Sequence, residues 1–217
     1  MKTKALVLGI LLTMFSVSGA SATVTFQMYE SYYNKDGALT LSLDGDAVFG
    51  TLTFTDLGFT TPGSHYSAVY VDAEIDQDIN GFTNEYGSVA GSAAAGQSWE
   101  IDEPGFEYGD IYDNFVAGTL DKSNGVPTPD DVAMALAWNF ILADGESATV
   151  SYFLTPVQPT SGFYLAHTDP DSQASLYFYS TLTIQGGGPQ PTVPEPSTLL
   201  LFGVGFLGAY LRRKMKN

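Results

Sequence analysis

The apolar and polar positions of this chain alternate with a period of two residues through its central region, a pattern that predicts β-strands. We expect one strand to begin within residues 23–29 and further strands to cover residues 47–54, 67–75 and 175–184. In the third segment the apolar face carries Val69, Val71, Ala73 and Ile75. Asp72, Glu74 and Asp76 point the other way, and we interpret them as the solvated face of a half-buried strand.

Two further alternating segments flank an Asp-Gly dipeptide. The first places these apolar side chains on one face: Met134, Leu136, Trp138, Phe140 and Leu142. The second does the same with Ala148, Val150, Tyr152 and Leu154. Because both residues of Asp144-Gly145 tolerate positive φ, the pattern predicts a β-hairpin. A helix over residues 131–142, capped by Asp130, is the alternative, and the aromatic content favours the strand.

Strands at this spacing, with turn residues between them and no internal repeat, predict a mainly β fold. We expect a single antiparallel β-sandwich, jelly-roll-like, over residues 23–185. Residues 186–192 read Gly-Gly-Gly-Pro-Gln-Pro-Thr and form a linker, flexible at first and then stiffened by proline. Residues 193–217 follow as a separate C-terminal segment.

The N-terminus has the three regions of a secretory signal peptide. Lys2 and Lys4 give a positive start, and residues 5–17 form an apolar run. Ala20-Ser21-Ala22 is a small-x-small cleavage site, so residues 1–22 are expected to be removed. The alternative is an uncleaved membrane anchor, which is disfavoured because the run falls short of the roughly 20 residues that a spanning helix needs.

The C-terminus combines an acidic turn, an apolar run and a basic end. Pro194, Glu195 and Pro196 place a carboxylate on stiff, extended backbone, because each proline fixes its own φ and restricts the residue before it. Residues 198–211 predict a short transmembrane helix, and Arg212-Arg213-Lys214 stay on the cytoplasmic side by the positive-inside rule. A permanent anchor and a transient one that is cut off are both consistent with this pattern.

This three-part arrangement resembles the PEP-CTERM sorting signal of exopolysaccharide-associated Gram-negative bacteria. The resemblance implies that a membrane protease-transpeptidase, exosortase, recognises Pro194, Glu195 and Pro196 and cleaves in or near that motif. It also implies an inner-membrane intermediate that is then delivered to the cell surface or matrix. Residues 70–76, 82–87 and 131–150 resemble a domain common in PEP-CTERM proteins, most of which are uncharacterised.

The segment between the two terminal signals is strongly acidic. Lys35 and Lys122 are its only basic residues against 23 of the 24 acidic residues, which leaves a formal net charge of −21 over residues 23–193. Such a surface repels nucleic acid phosphates and attracts cations, so nucleic-acid binding is excluded as a function. The chain has no cysteine, so its stability must come from its core alone.

One stretch matches the first half of a calcium-binding loop. Asp76, Asp78 and Asn80 supply alternate oxygens and Gly81 permits the sharp turn, but Gly87 stands where a bidentate Glu is expected. Glu74 or Glu85 could complete a different ligand set. The alternative, which we favour, is a solvated strand face followed by an Asn-Gly turn.

A second acidic stretch is interleaved with aromatic residues. It contains Asp102, Glu103, Glu107, Asp110 and Asp113, and near them Trp99, Phe106, Tyr108 and Tyr112. Rings that stack on sugar faces suggest a carbohydrate-binding module that uses Trp99, Tyr108 and Tyr112. Paired acids near Glu103 and Glu107 suggest a glycoside hydrolase. The third interpretation, which we favour, is a polar loop whose aromatic residues complete the core.

No enzyme signature is visible. His65 and His167 are the only histidines and lack metal-ligand spacing, and neither a cysteine nor a G-x-S-x-G turn is present. We therefore expect a non-enzymatic exported protein with a structural or adhesive role and no required cofactor, calcium being the one candidate. Its expected partners are the sorting enzyme and an acidic exopolysaccharide bridged through divalent cations.

Overall fold

The computed structural model describes residues 24–48, 52–105 and 108–187, and the side chains of residues 41–48 and 55–57 are not described. Within these residues two short helices accompany ten strands. The strands are β1 (Phe26–Lys35), β2 (Ala38–Val48), β3 (Leu52–Phe59), β4 (Gly63–Ile75), β5 (Tyr86–Ala90), β6 (Gln97–Asp102), β7 (Ala133–Leu142), β8 (Ser147–Thr155), β9 (Tyr164–Thr168) and β10 (Ser175–Gln185). The helices are α1 (Gln77–Asn80) and α2 (Ile111–Ala117).

The strands form two five-stranded sheets, which confirms the predicted mainly β fold. The first sheet has the order β2-β1-β4-β7-β6 and the second the order β3-β8-β10-β9-β5. All neighbouring pairs are antiparallel. The main core contains apolar side chains from both sheets, and its largest fully buried members include Met28, Ile101, Leu136, Tyr152 and Phe178.

The predicted faces of β7 and β8 are confirmed, but the predicted hairpin between them is wrong. All nine alternate apolar side chains of the two segments belong to the main core. However, β7 pairs with β4 and β6, whereas β8 pairs with β3 and β10 in the other sheet. In this turn φ is positive at Gly145 (78°) but not at Asp144, whereas a two-residue hairpin turn of type I′ needs positive φ at both residues. Asp144-Gly145 therefore carries the chain from one sheet to the other.

A two-residue hairpin does occur at Asp36-Gly37, between β1 and β2. Both residues have positive φ, 49° and 85°, as the type I′ turn requires. The prediction of a single strand over residues 47–54 is wrong, because β2 ends at Val48 and β3 begins at Leu52. Those two strands lie in different sheets, so the segment is a crossover.

The outer face of the first sheet is covered by a second, smaller core. Helix α2 packs Ile111 and Phe115 against Tyr70 of β4 and against three small residues of β7, which are Ala133, Ala135 and Ala137. Asn34 of β1 holds the end of this helix, since its Nδ2 donates to the carbonyls of Phe115 (3.0 Å) and Val116 (3.2 Å). The first sheet is thus buried on both faces along β4 and β7.

This covering overturns the predicted solvation of the polar face of β4. Asp72, Glu74 and Asp76 are 5%, 3% and 4% exposed. Strand β4 lies between β1 and β7, and the chain that follows β6 passes over it. The alternation predicted the two faces of the strand correctly, but the second face is internal.

Among the residues that the structure describes, no helix is long and apolar enough to cross a membrane. The predicted signal peptide with its cleavage residues Ala20 and Ala22 lies outside the described residues, and so does the apolar segment 198–211. Strand β10 ends at Gln185, where the predicted linker begins.

Candidate functional site

The residues of the predicted calcium loop lie on and beside the single helical turn α1. Asp76 precedes the helix with positive φ (54°), and its Oδ1 accepts hydrogen bonds from the backbone and hydroxyl of Thr25 at 2.6 and 3.1 Å. Asn80 Nδ2 donates to Asp169 Oδ2 (3.1 Å), and Asp78 is exposed. Of the predicted ligand oxygens, Asp76 Oδ1 is therefore already hydrogen-bonded, whereas Asn80 Oδ1 is buried and has no hydrogen-bond partner in the protein.

The predicted sugar-binding aromatic residues do not share one surface. Trp99 of β6 packs against the main core, where its ring lies 6.1 Å from that of Phe163. Tyr112 of α2 packs on the outer face of the first sheet, with its ring 5.7 Å from that of Tyr70. Tyr108 is 65% exposed. The first sheet separates Trp99 from Tyr112, so the three rings cannot form a common stacking platform.

Part of the second acidic stretch forms a cluster with Glu100. This residue is not among the candidates predicted from the sequence. Ligand atoms of Glu100, Asp102 and Asp110 lie within 4.8 Å of one another. Glu100 is fully buried and both its oxygens are used: Oε1 accepts from Asn114 Nδ2 (3.0 Å) and Oε2 from the Asp121 amide (3.1 Å). Asp102 Oδ2 accepts from the Asp110 amide (3.0 Å). These carboxylates hold the covering loops in place. Glu107 lies outside the described residues.

A second group of carboxylates lies on the outer face of the first sheet, and we call it the β4 acidic cluster. It consists of Asp72 and Glu74 of β4, Glu30 of β1 and Asp131, which lies two residues before β7. Cross-strand pairing brings Glu30 opposite Asp72, while Asp72 is also opposite Ala133. Ligand oxygens of Asp72, Glu74 and Asp131 lie within 4.8 Å of one another.

Burial dominates the electrostatics of the β4 acidic cluster. It raises the pKa of Asp72 to about 8, to which the charges of Asp131 and Glu30 add. It raises the pKa of Glu74 to about 10, with a further contribution from Glu85. The pKa of Asp131 rises to about 6 for the same reason, although the nearby His167 opposes the rise. Carboxylates crowded in this way resist ionisation unless a cation joins them.

Each member of the β4 acidic cluster has a buried oxygen that no protein group satisfies. These oxygens are Glu30 Oε2, Asp72 Oδ1, Glu74 Oε2 and Asp131 Oδ1. Gln27 lies beside them, opposite Glu74 on β1, and its Oε1 also lacks a partner. Buried polar groups in folded proteins are almost always hydrogen-bonded, so such a concentration of unpaired acceptors is unusual.

Glu85 and His167 border the cluster on the side of the second sheet. Both are fully buried, and His167 Nε2 contacts Glu85 Oε2. The other oxygen, Oε1, accepts a hydrogen bond from the Ile75 amide at 2.8 Å. His167 has no metal-ligand spacing in the sequence, so no motif points to this contact. A visible signal for the whole site was the row of small residues at 133, 135 and 137, which leaves room for a covering layer over the adjacent strand.

The fold and these sites define an acidic antiparallel β-protein with a two-layered core and carboxylates buried on one sheet. The sorting residues Pro194, Glu195 and Pro196 lie outside the described residues. A family model of the PEP-CTERM protein-sorting motif matches residues 192–214, so the chain carries this C-terminal sorting signal. The motif is the recognition signal for exosortase processing, and the chain is accordingly a sorted, exported and membrane-processed protein. No curated protein and no solved structure matches the chain.

Proposed function

We propose that this chain is a non-catalytic protein of the cell surface or exopolysaccharide matrix of a Gram-negative-type bacterium, where it has a structural or adhesive role. The observation that carries the proposal is the PEP-CTERM motif at residues 192–214. It follows a β-domain whose last strand ends at Gln185. Processing at such a motif would release the folded domain from its membrane segment on the outside.

The charge of the domain supports the matrix as its destination. With two lysines against 23 acidic residues between positions 23 and 193, the domain repels acidic polysaccharide unless cations lie between them. Divalent cations can bridge two sets of carboxylates, and we propose that they attach this domain to an acidic exopolysaccharide. The attachment would then depend on the ionic composition of the medium and not on one binding cleft.

Intact-mass measurement of the protein recovered from its native cells tests the sorting step. We expect a mass that lacks residues 1–22 and the C-terminal apolar and basic segments. Glu195→Ala should leave the protein in the membrane fraction with its C-terminal segment retained, because the recognised carboxylate is gone. Gln190→Ala, outside the matched motif, is the control and should be processed normally. A wild-type protein that keeps its basic tail would contradict the proposal.

Fractionation of the same cells tests the matrix role. The processed protein should be recovered with the exopolysaccharide and released when a chelator removes divalent cations. A protein that stays soluble in the medium at all cation concentrations would contradict the proposed attachment. Release by sodium chloride alone, with no further effect of chelator, would also contradict it, because monovalent screening does not remove bridging ions.

A further inference from the structure

We propose that the folded domain contains a structural calcium site, formed by the β4 acidic cluster: Asp72, Glu74 and Asp131 bind the ion, and Glu30 and Gln27 complete the oxygen shell. This site differs from the Asp76-Asp78-Asn80 motif and from the surface charge proposed to bridge polysaccharide. It lies inside the fold, and its occupancy does not depend on sorting or on the matrix.

The spacing of the carboxylates suits one ion of calcium's size. Calcium binds oxygens at about 2.3–2.6 Å, so two ligands of one ion can be separated by up to about 5 Å. Oxygens of Asp72, Glu74 and Asp131 lie within 4.8 Å of one another and satisfy this limit. Calcium takes six to eight oxygens, a number that the five side chains and solvent can supply.

Gln27 gives evidence that is independent of the negative charge. Its side chain is only 8% exposed, and its Oε1 has no hydrogen-bond partner. Cross-strand pairing with Glu74 directs it to the same face of the sheet as the carboxylates. The amide is neutral, so charge does not explain its position. Its Oε1 nevertheless adds a fifth unpaired oxygen to the four of the β4 acidic cluster. Carboxylate and amide oxygens are the ligands that calcium uses in proteins.

Both lysines of the described residues lie away from the cluster. Lys35 is at the far end of β1, with Nζ 4.2 Å from the centre of the Phe59 ring. Lys122 belongs to a loop whose backbone bonds to Trp99 on β6. His167 borders the cluster, but its Nε2 is directed to Glu85 Oε2. Buried carboxylates are rare unless they are paired, and a bound calcium ion would supply that pairing in this cluster.

The cluster around Glu100 provides an internal comparison. There both oxygens of the buried carboxylate accept hydrogen bonds from Asn114 and Asp121, so the site is complete without an ion. The β4 acidic cluster has no such donors on its four unpaired oxygens. Asp131 and Glu30 are only half-buried, so they give an ion a path from solvent. An all-oxygen set with several carboxylates favours calcium over zinc, which prefers nitrogen and sulfur, and over magnesium, which retains its waters.

Thermal unfolding of the full chain in detergent at pH 7.5 and 150 mM NaCl tests the proposal. Calcium at 1 mM should raise Tm by about 5 °C relative to chelator, because an ion that binds only the folded state stabilises it. Isothermal titration should give one tight ion per chain. Glu74→Gln and Asp72→Asn should abolish both effects. These amides resemble the protonated carboxyl groups, so the variants should still fold.

Two further variants make the test decisive. Asp113→Asn removes an exposed charge of α2, and it should leave the calcium response unchanged. Asp78→Asn removes the exposed residue of the sequence motif, and it should also respond like wild type. The proposal is overturned if calcium leaves wild-type Tm unchanged, if Glu74→Gln responds as strongly as wild type, or if Asp78→Asn alone abolishes the response. An equal response to magnesium would overturn the choice of calcium.

Discussion

Glu85 connects the two sheets through His167. Its Oε2 contacts His167 Nε2 on β9 of the second sheet, and its Oε1 accepts a hydrogen bond from the amide of Ile75, at the end of β4 in the first sheet. Both side chains are fully buried. The backbone of Glu85 also makes two hydrogen bonds with that of Asp130. The Glu85 amide donates to the Asp130 carbonyl at 3.1 Å, and the Asp130 amide donates to the Glu85 carbonyl at 2.7 Å. Glu85 thus contacts β4, β9 and the loop before β7.

Loss of this carboxylate should weaken the whole domain. Glu85→Ala leaves the Ile75 amide and His167 Nε2 without partners in the interior, and we expect the free energy of unfolding to fall by about 3 kcal/mol. Urea unfolding followed by circular dichroism measures this loss. Asp113→Ala, at an exposed position of α2, should change stability by less than about 0.5 kcal/mol. Equal effects of the two substitutions would show that Glu85 does not hold the sheets together.

Ser180 makes a second connection between the sheets. Its Oγ on β10 accepts hydrogen bonds from Trp138 Nε1 of β7 (2.9 Å) and from Gln97 Nε2 of β6 (3.0 Å). Ser180→Ala leaves both donors unsatisfied next to the core, so we expect destabilisation of about 2 kcal/mol. Because Trp138 loses a hydrogen bond, the tryptophan emission of the folded state should also change.

Thr181→Ala is the matched control for Ser180→Ala, since Thr181 is the exposed neighbour on the same strand. It should unfold at nearly the same urea concentration as wild type and keep the wild-type emission spectrum. If Ser180→Ala behaved like Thr181→Ala in both measurements, the two hydrogen bonds would contribute nothing to sheet packing.

The sequence predicted faces better than it predicted partners. The alternation in β7 and β8 identified strands and their buried sides, because side-chain direction depends only on local backbone geometry. Pairing depends on which distant strand is available. Two of the three Asp-Gly dipeptides illustrate the difference: Asp36-Gly37 closes a hairpin, while Asp144-Gly145 connects two sheets. The same turn chemistry served two topologies, so the dipeptide alone could not distinguish them.

The candidate site was missed for a related reason. Asp72 and Glu74 look like solvated residues in an alternating strand, and their burial depends on α2 and its flanking loops, some 40 residues further along the chain. Glu30 is brought beside them by the pairing of β1 with β4. Asp131 is brought there by the pairing of β7 with β4, since it lies two residues before β7. The C-terminal motif was different: its proline, glutamate, apolar and basic parts are contiguous, so the sequence was sufficient to recognise it.

Glu100 should make stability depend on pH. Burial raises its pKa to about 7, although hydrogen bonds from Asn114 and Asp121 oppose the rise. The folded state therefore keeps a proton that the unfolded state loses above about pH 4.3. It follows that the contribution of Glu100 is fully present below that pH and is lost as the pH rises through about 7. Between pH 5 and 8 we expect a loss of about 2 kcal/mol from this residue.

Urea unfolding of wild type and Glu100→Gln across this pH range isolates the effect. The amide cannot ionise, so the variant should start less stable, because it has lost one acceptor, and then decline less steeply. Burial also raises the pKa of Asp131 to about 6 and that of Asp72 to about 8, but these two groups titrate equally in both proteins. Parallel pH profiles for the two proteins would mean that Glu100 is ionised in the folded state throughout.

Gly87 should be intolerant of a methyl group. It lies on β5 opposite His167, and a Cβ there would overlap the side chain of Ile101 in the main core. Alanine in place of glycine usually stabilises a strand, but overpacking a core costs about 1–3 kcal/mol, so we expect Gly87→Ala to lower the free energy of unfolding by about 2 kcal/mol. In an Ile101→Ala background the same substitution should have almost no effect, because the space is then free. A double-mutant cycle by urea unfolding measures this coupling, and additive effects would rule out the contact.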